Sequence, residues 1–445
     1  MEKRESGAES ASEFAPQRPS ISPFAHSLTA ARSRRKLSTS ARSLGTRRKS
    51  SLSIFCSKSV GLSWYQHWLR SQLDDLPQPV RQLRIGEETL REGNGFERVF
   101  AAVASFIHDT QAVSINGTQA VTIDDVVEHL RRTQNLETTL TSFNVQRLLV
   151  FAILGWQSML YRPTFNTCSL DELAVHDYDV NSNSGLVFDT YKVPVEVSER
   201  PLFAVLKGFG NLLPAPASDI APVASENSKA AATWLAIEPA ETNAYLLRTL
   251  LNVHIRWVDC LALHLDYNMS ERMLSLFKYP SYCITTLKSH GPIYAFASTE
   301  KMSFDPRASE EDISQFMREV LLSYRLLFGQ HEPSRKLFKH TLKPADQTPD
   351  ELLTILCMEK NINQTLAPNL PLYITSRHFP VLSKRIELVV TDLKACRPSS
   401  MGQLLHDRRD KVQYWTFWLV SIIGGMSIVL SLVQVILQAI QLAKV

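Results

Sequence analysis

The sequence predicts a mainly α soluble domain with a minor β-hairpin, followed by one C-terminal transmembrane helix and preceded by a disordered arm. Three observations carry that expectation. Residues 415–437 (WTFWLVSIIGGMSIVLSLVQVIL) run for 23 positions without a charge. Several stretches between residues 61 and 400 place apolar side chains at helical spacing behind recognisable caps. Residues 1–60 hold 15 serines and few large apolar side chains. A segment of that composition buries too little surface to offset its ordering entropy.

At about 1.5 Å per residue the C-terminal run reaches roughly 34 Å, enough for a hydrocarbon core of about 30 Å. Thirteen of its residues are Leu, Ile, Val or Phe, each favourable by roughly 0.3–0.6 kcal/mol at mid-membrane. Arg408, Arg409 and Lys411, in the juxtamembrane residues 401–413, precede the run, and Lys444 alone follows it. That imbalance favours a cytosolic N-terminal side. Trp415 and Trp418, beside Tyr414, sit at the same boundary, where amphipathic rings prefer the headgroup layer. Residues 1–30 carry Glu2, Glu5, Glu9 and Glu13 and no long apolar run, so no secretory signal is expected. The expected topology is a tail anchor, in the endoplasmic reticulum or, alternatively, the mitochondrial outer membrane.

Within the anchor, residues 414–442, Gly424, Ser427, Ser431, Gln434, Gln438 and Gln441 recur every three or four positions and share one helical stripe. Small residues permit close helix approach, and glutamine in lipid gains by bonding across to a partner. Self-association is one reading. The other is that the serines bond their own backbone and the last glutamines lie in the far headgroup region.

The arm carries 12 Lys and Arg against 4 Asp and Glu over residues 1–60, while the remainder has 36 against 40. Basic character therefore belongs to the arm, and the globular part is mildly acidic. Ser38 and Ser50 each follow a basic run, Arg34-Arg35-Lys36 and Arg47-Arg48-Lys49. They are candidate regulatory phosphorylation sites, and phosphate there would cancel much of the charge. Anionic lipid headgroups, a nuclear or nucleic-acid patch and a mitochondrial presequence compete with a solvated tail of no further role. Since the chain already reaches a bilayer, lipid headgroups are the expected contact and nucleic acid is not an expected partner.

Residues 64–76 read as an amphipathic helix stopped before Pro77, and residues 96–108 as another. Thr122 opens a helix with Asp124 and Asp125 in its first turn. Residues 144–161 form an apolar helix whose 13-residue uncharged core, 148–160, is too short to span a bilayer, so it is central and buried. Residues 186–193 have β character. Helix resumes over residues 200–213, broken by Gly208-Phe209-Gly210, and residues 214–231 are a small-residue linker. Residues 243–257 read as helix. Leu261, Leu263, Leu265 and Tyr267 then alternate with Ala262, His264 and Asp266, predicting a strand that turns at residues 268–271 and pairs with residues 272–277. Ser309 caps a helix ending at Gly329, and residues 350–358 and 385–396 form two more.

Catalytic signatures are sparse. His254, Asp259, His264 and Asp266 are the one cluster of ligand-type residues, but on a helix the first two diverge and on a strand the last two face solvent. The six cysteines (Cys56, Cys168, Cys260, Cys283, Cys357, Cys396) lack metal-type spacing and read as buried thiols. Lys207 to Asn211 lacks the strand–loop–helix setting of a phosphate loop. Arg318, Arg325 and Arg335 read as a surface set paired with nearby acids. No catalytic, cofactor or metal residue is assigned. Sequons at Asn116, Asn268 and Asn363 stay unmodified if the domain is cytosolic.

The blocks at residues 149–161 (LVFAILGWQSMLY), 200–214 (RPLFAVLKGFGNLLP), 257–283, 319–330 (EVLLSYRLLFGQ) and 408–419 (RRDKVQYWTFWL) resemble a group of uncharacterised, C-terminally membrane-anchored proteins of filamentous fungi. That resemblance implies a fungal source and a membrane helix, and carries over no activity. The expected function is a tail-anchored interaction or scaffold domain, the alternative a membrane-tethered enzyme of an unrecognised family.

Overall fold

The computed structural model describes residues 63–443 apart from 86–87, 91–93, 115–119, 134, 137–142, 167–168, 179–186, 217–234, 299–307, 361–366 and 397–410. The basic arm, with Ser38 and Ser50, lies outside the described residues, as do the Asn116 and Asn363 sequons, most of the linker, and Arg408 and Arg409. Helices dominate the rest, as the sequence predicts. Those of eight residues or more are α1 (Ser63–Asp74), α2 (Gly95–Ser114), α3 (Ile123–Arg132), α4 (Phe143–Ser158), α5 (Leu202–Phe209), α6 (Pro280–Ser289), α7 (Glu310–Tyr324), α8 (Glu351–Met358), α9 (Ser383–Ala395) and α10 (Lys411–Leu442).

α4 is the axis of the domain. Every residue from Val145 to Ser158 is buried, which explains why its apolar side chains surround the helix instead of forming a stripe. Tyr161 folds back on it: its ring stacks on Phe151 at 4.6 Å and its hydroxyl donates to the Phe151 carbonyl at 2.8 Å. A Cβ on Gly155 would lie 3.1 Å from the Tyr161 carbonyl and closer still to its ring, so glycine is what lets this return pack.

α1 buries Trp64, Tyr65, Trp68 and Leu69, and each of its three aromatic residues there also finds a polar partner in the core. Trp64 Nε1 donates to Ser281 Oγ at 2.9 Å while its ring stacks on Tyr279 at 3.7 Å. Tyr65 donates to the Trp156 carbonyl at 2.9 Å, and Trp68 Nε1 to Asp259 Oδ2 at 2.9 Å. α3 and α7 start with reciprocal capping boxes, Thr122 with Asp125 and Ser309 with Asp312. Arg147 of α4 ties α3 down by bonding both oxygens of Asp124, at 2.9 and 2.5 Å.

The β structure differs from the expectation in three places. Residues 243–257 are not one helix. The helix Ala244–Leu250, capped by Asn243, stops before Asn252, whose φ of 55° is left-handed, and β1 (His254–Val258) follows. Ile255, Trp257 and Val258 suit a pleated strand better than a helix. Residues 261–267 are not one strand either: Leu261–Leu263 is a 3-10 turn, Leu265 has φ 59°, and only β2 (Tyr267–Asn268) pairs. The hairpin to β3 (Met273–Phe277) exists but is short, and β3 sits in the middle, antiparallel to β2 and parallel to β1. The β character around residues 186–193 narrows to Lys192–Pro194, paired with Glu172–Ala174.

Gly208 lies inside α5 and breaks nothing, whereas Gly210, at φ 122°, ends it. A Cβ there would meet the Val187 carbonyl at 2.6 Å, so the stop requires glycine. Cys260, Cys283 and Cys357 are buried free thiols, and Cys396 is half-buried.

Candidate functional site

Among the described residues one helix is long and apolar enough to cross a membrane, residues Trp415–Leu442 of α10. Its 28 residues reach about 42 Å, more than a hydrocarbon core of about 30 Å requires, which leaves length for tilt. No part of it is buried in the fold. Ile428 is 70% exposed and Leu430 64%, although neither faces the same side as the other. A soluble domain does not leave so large an apolar surface in water. Trp415 and Trp418 lie in the first turns of this stretch.

At Gly424 the small-residue stripe is open: among the described residues nothing lies within 4 Å of a Cβ built there. Ser431 Oγ donates to the Ser427 carbonyl at 2.9 Å, so that hydroxyl satisfies itself along its own helix.

In the soluble domain, the ligand-type cluster read from sequence is dispersed. His264 and Asp266 face the interior, fully buried, and not solvent. His264 Nε2 lies 2.8 Å from Ser323 Oγ, the distance of a nucleophile–base pair. The rest of the geometry opposes that role. His264 Nδ1 accepts from the Phe277 N–H at 3.2 Å, so the neutral ring carries its proton on Nε2 and donates towards Ser323. Ser323 in turn donates to the Val320 carbonyl at 2.7 Å. An imidazole already protonated on the serine side cannot take the serine's proton, and burial holds its pKa down to about 3. The pair is a core hydrogen bond.

Arg318, Arg325 and Arg335 do not form the acid-paired surface set. Among the described residues Arg318 alone of the three meets an acid, Glu311 at 3.0 Å. Arg325 is wholly buried in the π-helical turn Arg325–Gly329 that follows α7. Its guanidinium bonds the carbonyls of Leu356 at 2.7 Å, Glu359 at 2.8 Å and Lys360 at 3.2 Å, plus Asn369 Oδ1 at 2.6 Å. These are the open carbonyls at the end of α8, where a cation suits the helix dipole. Arg335 bonds the Gly329 carbonyl at 2.9 Å.

Glu319 of α7 does the converse for α9. That helix has Leu382 at its N-cap, with no side chain to accept from the first N–H groups. Glu319 supplies the acceptors, taking Val381 N–H at 3.0 Å and Leu382 N–H at 2.7 Å, with the Gln315 amide at 3.0 Å. Burial raises its pKa to about 7 despite those bonds, and burial raises that of Asp350 to about 6. Both folded values exceed the ordinary 4.5 and 3.8, so the folded chain holds these protons more tightly. The resulting stabilisation is complete below the unfolded values and is lost as pH rises through about 6 and then about 7. Denaturation of the detergent-solubilised full chain should show its midpoint falling across that window. Glu319→Gln should flatten the upper part of the fall; an unchanged slope would place the proton elsewhere.

Two surface hollows lie among the described residues. One, about 280 Å³, lies between α1 and the turn after β3, lined by Trp64, His67, Trp68, Lys278, Tyr279 and Asp346. Lys278 is committed to Asp346 at 3.0 Å. The other, about 290 Å³, is bordered by Phe203, Leu206, Lys207 and Phe296. Behind the first, Asp259 accepts from Trp68 and from the Tyr178 hydroxyl, with Arg162 at 3.8 Å. This network fastens α1 to the end of β1. Nothing in the sequence near Asp259 signals it, because its partners come from residues 81 and 191 positions away.

Comparison with known proteins finds no matching family model, curated protein or solved structure.

Proposed function

We propose that this chain is a tail-anchored membrane protein whose helical domain faces the cytosol and works by binding other proteins, as a scaffold, tether or sensor. The supporting observation is α10, whose stretch Trp415–Leu442 is uncharged, strongly apolar and unburied. The imbalance of Arg408, Arg409 and Lys411 against Lys444 supports the cytosolic orientation. An endomembrane, the endoplasmic reticulum ahead of the mitochondrial outer membrane, is the proposed address, and a filamentous fungus the proposed source. The basic arm is proposed to touch anionic headgroups, with phosphate at Ser38 and Ser50 reversing that contact.

Interaction is favoured over catalysis because the polar groups best placed for chemistry are committed elsewhere. His264 has the wrong tautomer for a base, and Lys278 is paired at the rim of its hollow. Both hollows fall at or below the roughly 300 Å³ at which small-molecule sites begin.

Alkaline carbonate extraction and protease protection of the full-length protein test this reading. The chain should stay with the membrane, its domain should be cut by external protease, and glycosidase should leave its mobility unchanged. Asn268, whose side chain accepts from Ser270 and Glu271, is in any case engaged in its own turn. Release by carbonate or a glycosidase-sensitive shift would overturn it. Self-association of the span is read separately: Gly424→Leu with Gln434→Leu should abolish a membrane two-hybrid signal, and a signal that survives would dismiss the stripe as an interface.

A further inference from the structure

We propose that the outer edge of β1 is a docking strip for an extended, acidic segment of a partner protein, which would add there as a further strand. β1 is an edge strand: the sheet order is β1, β3, β2, and β1 pairs with β3 alone. The parallel register decides which backbone groups are left over. His254 N–H donates to the Arg272 carbonyl and the Val258 carbonyl accepts from Lys278 N–H. With His254 opposite Met273 and Val258 opposite Phe277, residues 254, 256 and 258 therefore turn their N–H and C=O groups towards β3. Those of Ile255 and Trp257 point the other way. Neither residue's backbone has a hydrogen bond to another described residue, and both residues are half-buried, not covered. Two donors and two acceptors thus stand along an open edge at strand spacing, the arrangement used when a peptide is added to a sheet.

The two faces of the strip differ, and that difference selects the partner. On one face the Trp257 ring is inside, packed near Phe328 and Phe338, with Nε1 bonded to the Leu342 carbonyl at 2.6 Å. On the other, His254 is exposed, and Arg248 Nη1 lies 3.0 Å from its Nδ1. Arginine can only donate, so His254 Nδ1 is the acceptor and its Nε2–H faces outward as a further donor. No carboxylate forms an ion pair with Arg248 or His254 among the described residues. The strip therefore offers donors and positive charge at its exposed His254 end. An added strand with Glu or Asp at the position beside His254 meets complementary charge, and one with Lys meets repulsion.

This deepens the interaction reading and rests on it, yet it fails separately, since amide exchange does not depend on where the protein resides. The experiment is hydrogen exchange on the full chain in detergent micelles, with a short peptide of alternating valine and glutamate as probe. In the free protein the Ile255 and Trp257 amides should exchange at least about tenfold faster than those of Arg256 and Val258, which bond β3. The glutamate peptide should slow Ile255 and Trp257 selectively. The same peptide N-methylated along its backbone, or with lysine for glutamate, should not. Arg248→Glu, a half-buried side chain outside the core, should weaken the glutamate peptide about tenfold and admit the lysine peptide. Equal protection of all four amides in the free protein would mean the edge is already covered and would overturn the proposal. So would indifference to peptide charge, or protection that rises with protein concentration alone, which would assign the edge to a second copy.

Discussion

Replacing Ile428 and Leu432 together with arginine should release the full-length chain from membranes. Both sit near the middle of Trp415–Leu442, one turn apart on the same helical face, and both are more than half exposed. Each arginine at the centre of a span costs about 2.5–3.5 kcal/mol on insertion scales, and each loses an apolar contribution of about 0.3–0.6 kcal/mol. Two such changes therefore remove about 6–8 kcal/mol. That is comparable with the roughly 4–8 kcal/mol supplied by the thirteen apolar residues of the run. Ile428→Leu with Leu432→Ile keeps the apolar total and should stay membrane-bound. The readout is the fraction pelleting after alkaline carbonate. If the arginine pair still pellets, some other part of the chain holds the protein on the bilayer.

Arg325→Met should destabilise the soluble domain by about 3 kcal/mol or more. Methionine fills much of the volume but leaves the carbonyls of Leu356 and Glu359 and the Asn369 Oδ1 without their guanidinium donor, while the Lys360 carbonyl keeps Asn369 Nδ2. A buried polar group stripped of its partner costs about 1–3 kcal/mol. Gly329→Ala should reach a similar loss by another route, because a Cβ there would come within 2.5 Å of Arg325 Cζ and 2.7 Å of the Leu356 carbonyl. The two effects should not add. Without the guanidinium, alanine at 329 meets chiefly the Leu356 carbonyl, so the double variant should be less unstable than the sum of the singles. Chemical denaturation of all four chains measures the coupling. Additive losses would show that Gly329 and Arg325 act independently.

The helices that sequence reasoning placed well are those whose signal is local. Thr122 and Ser309 accept from N–H groups three residues on, and Asp350 caps the helix it precedes. Asn243 caps one too, but that helix stops at Leu250, short of the expected residue 257. α4 was legible because an uncharged run too short for a bilayer has only the core to go to. The alternation over residues 261–267 misled, since His264 and Asp266 look solvent-facing to anyone who assumes that polar means exposed. In the fold Arg385 Nη1 reaches the carbonyls of Ala262 and His264, at 2.6 and 2.7 Å, and the whole segment turns inward. The edge of β1 was hidden for a related reason. Residues 254–258 carry no turn or alternation signal of their own, and become a strand only because β3 is there to pair with them in parallel.

What the chain alone determined is therefore whatever consecutive residues decide: where helices begin, and that its terminal apolar run is too long and too greasy for water. Only the tertiary structure decided where the buried charges went. Glu319 meets α9 from 62 residues away and Arg385 meets His264 from 121, and such partners leave no mark on the intervening sequence. Desolvation makes each of those groups costly until its distant partner arrives, so their positions follow from the packing and cannot be read before it.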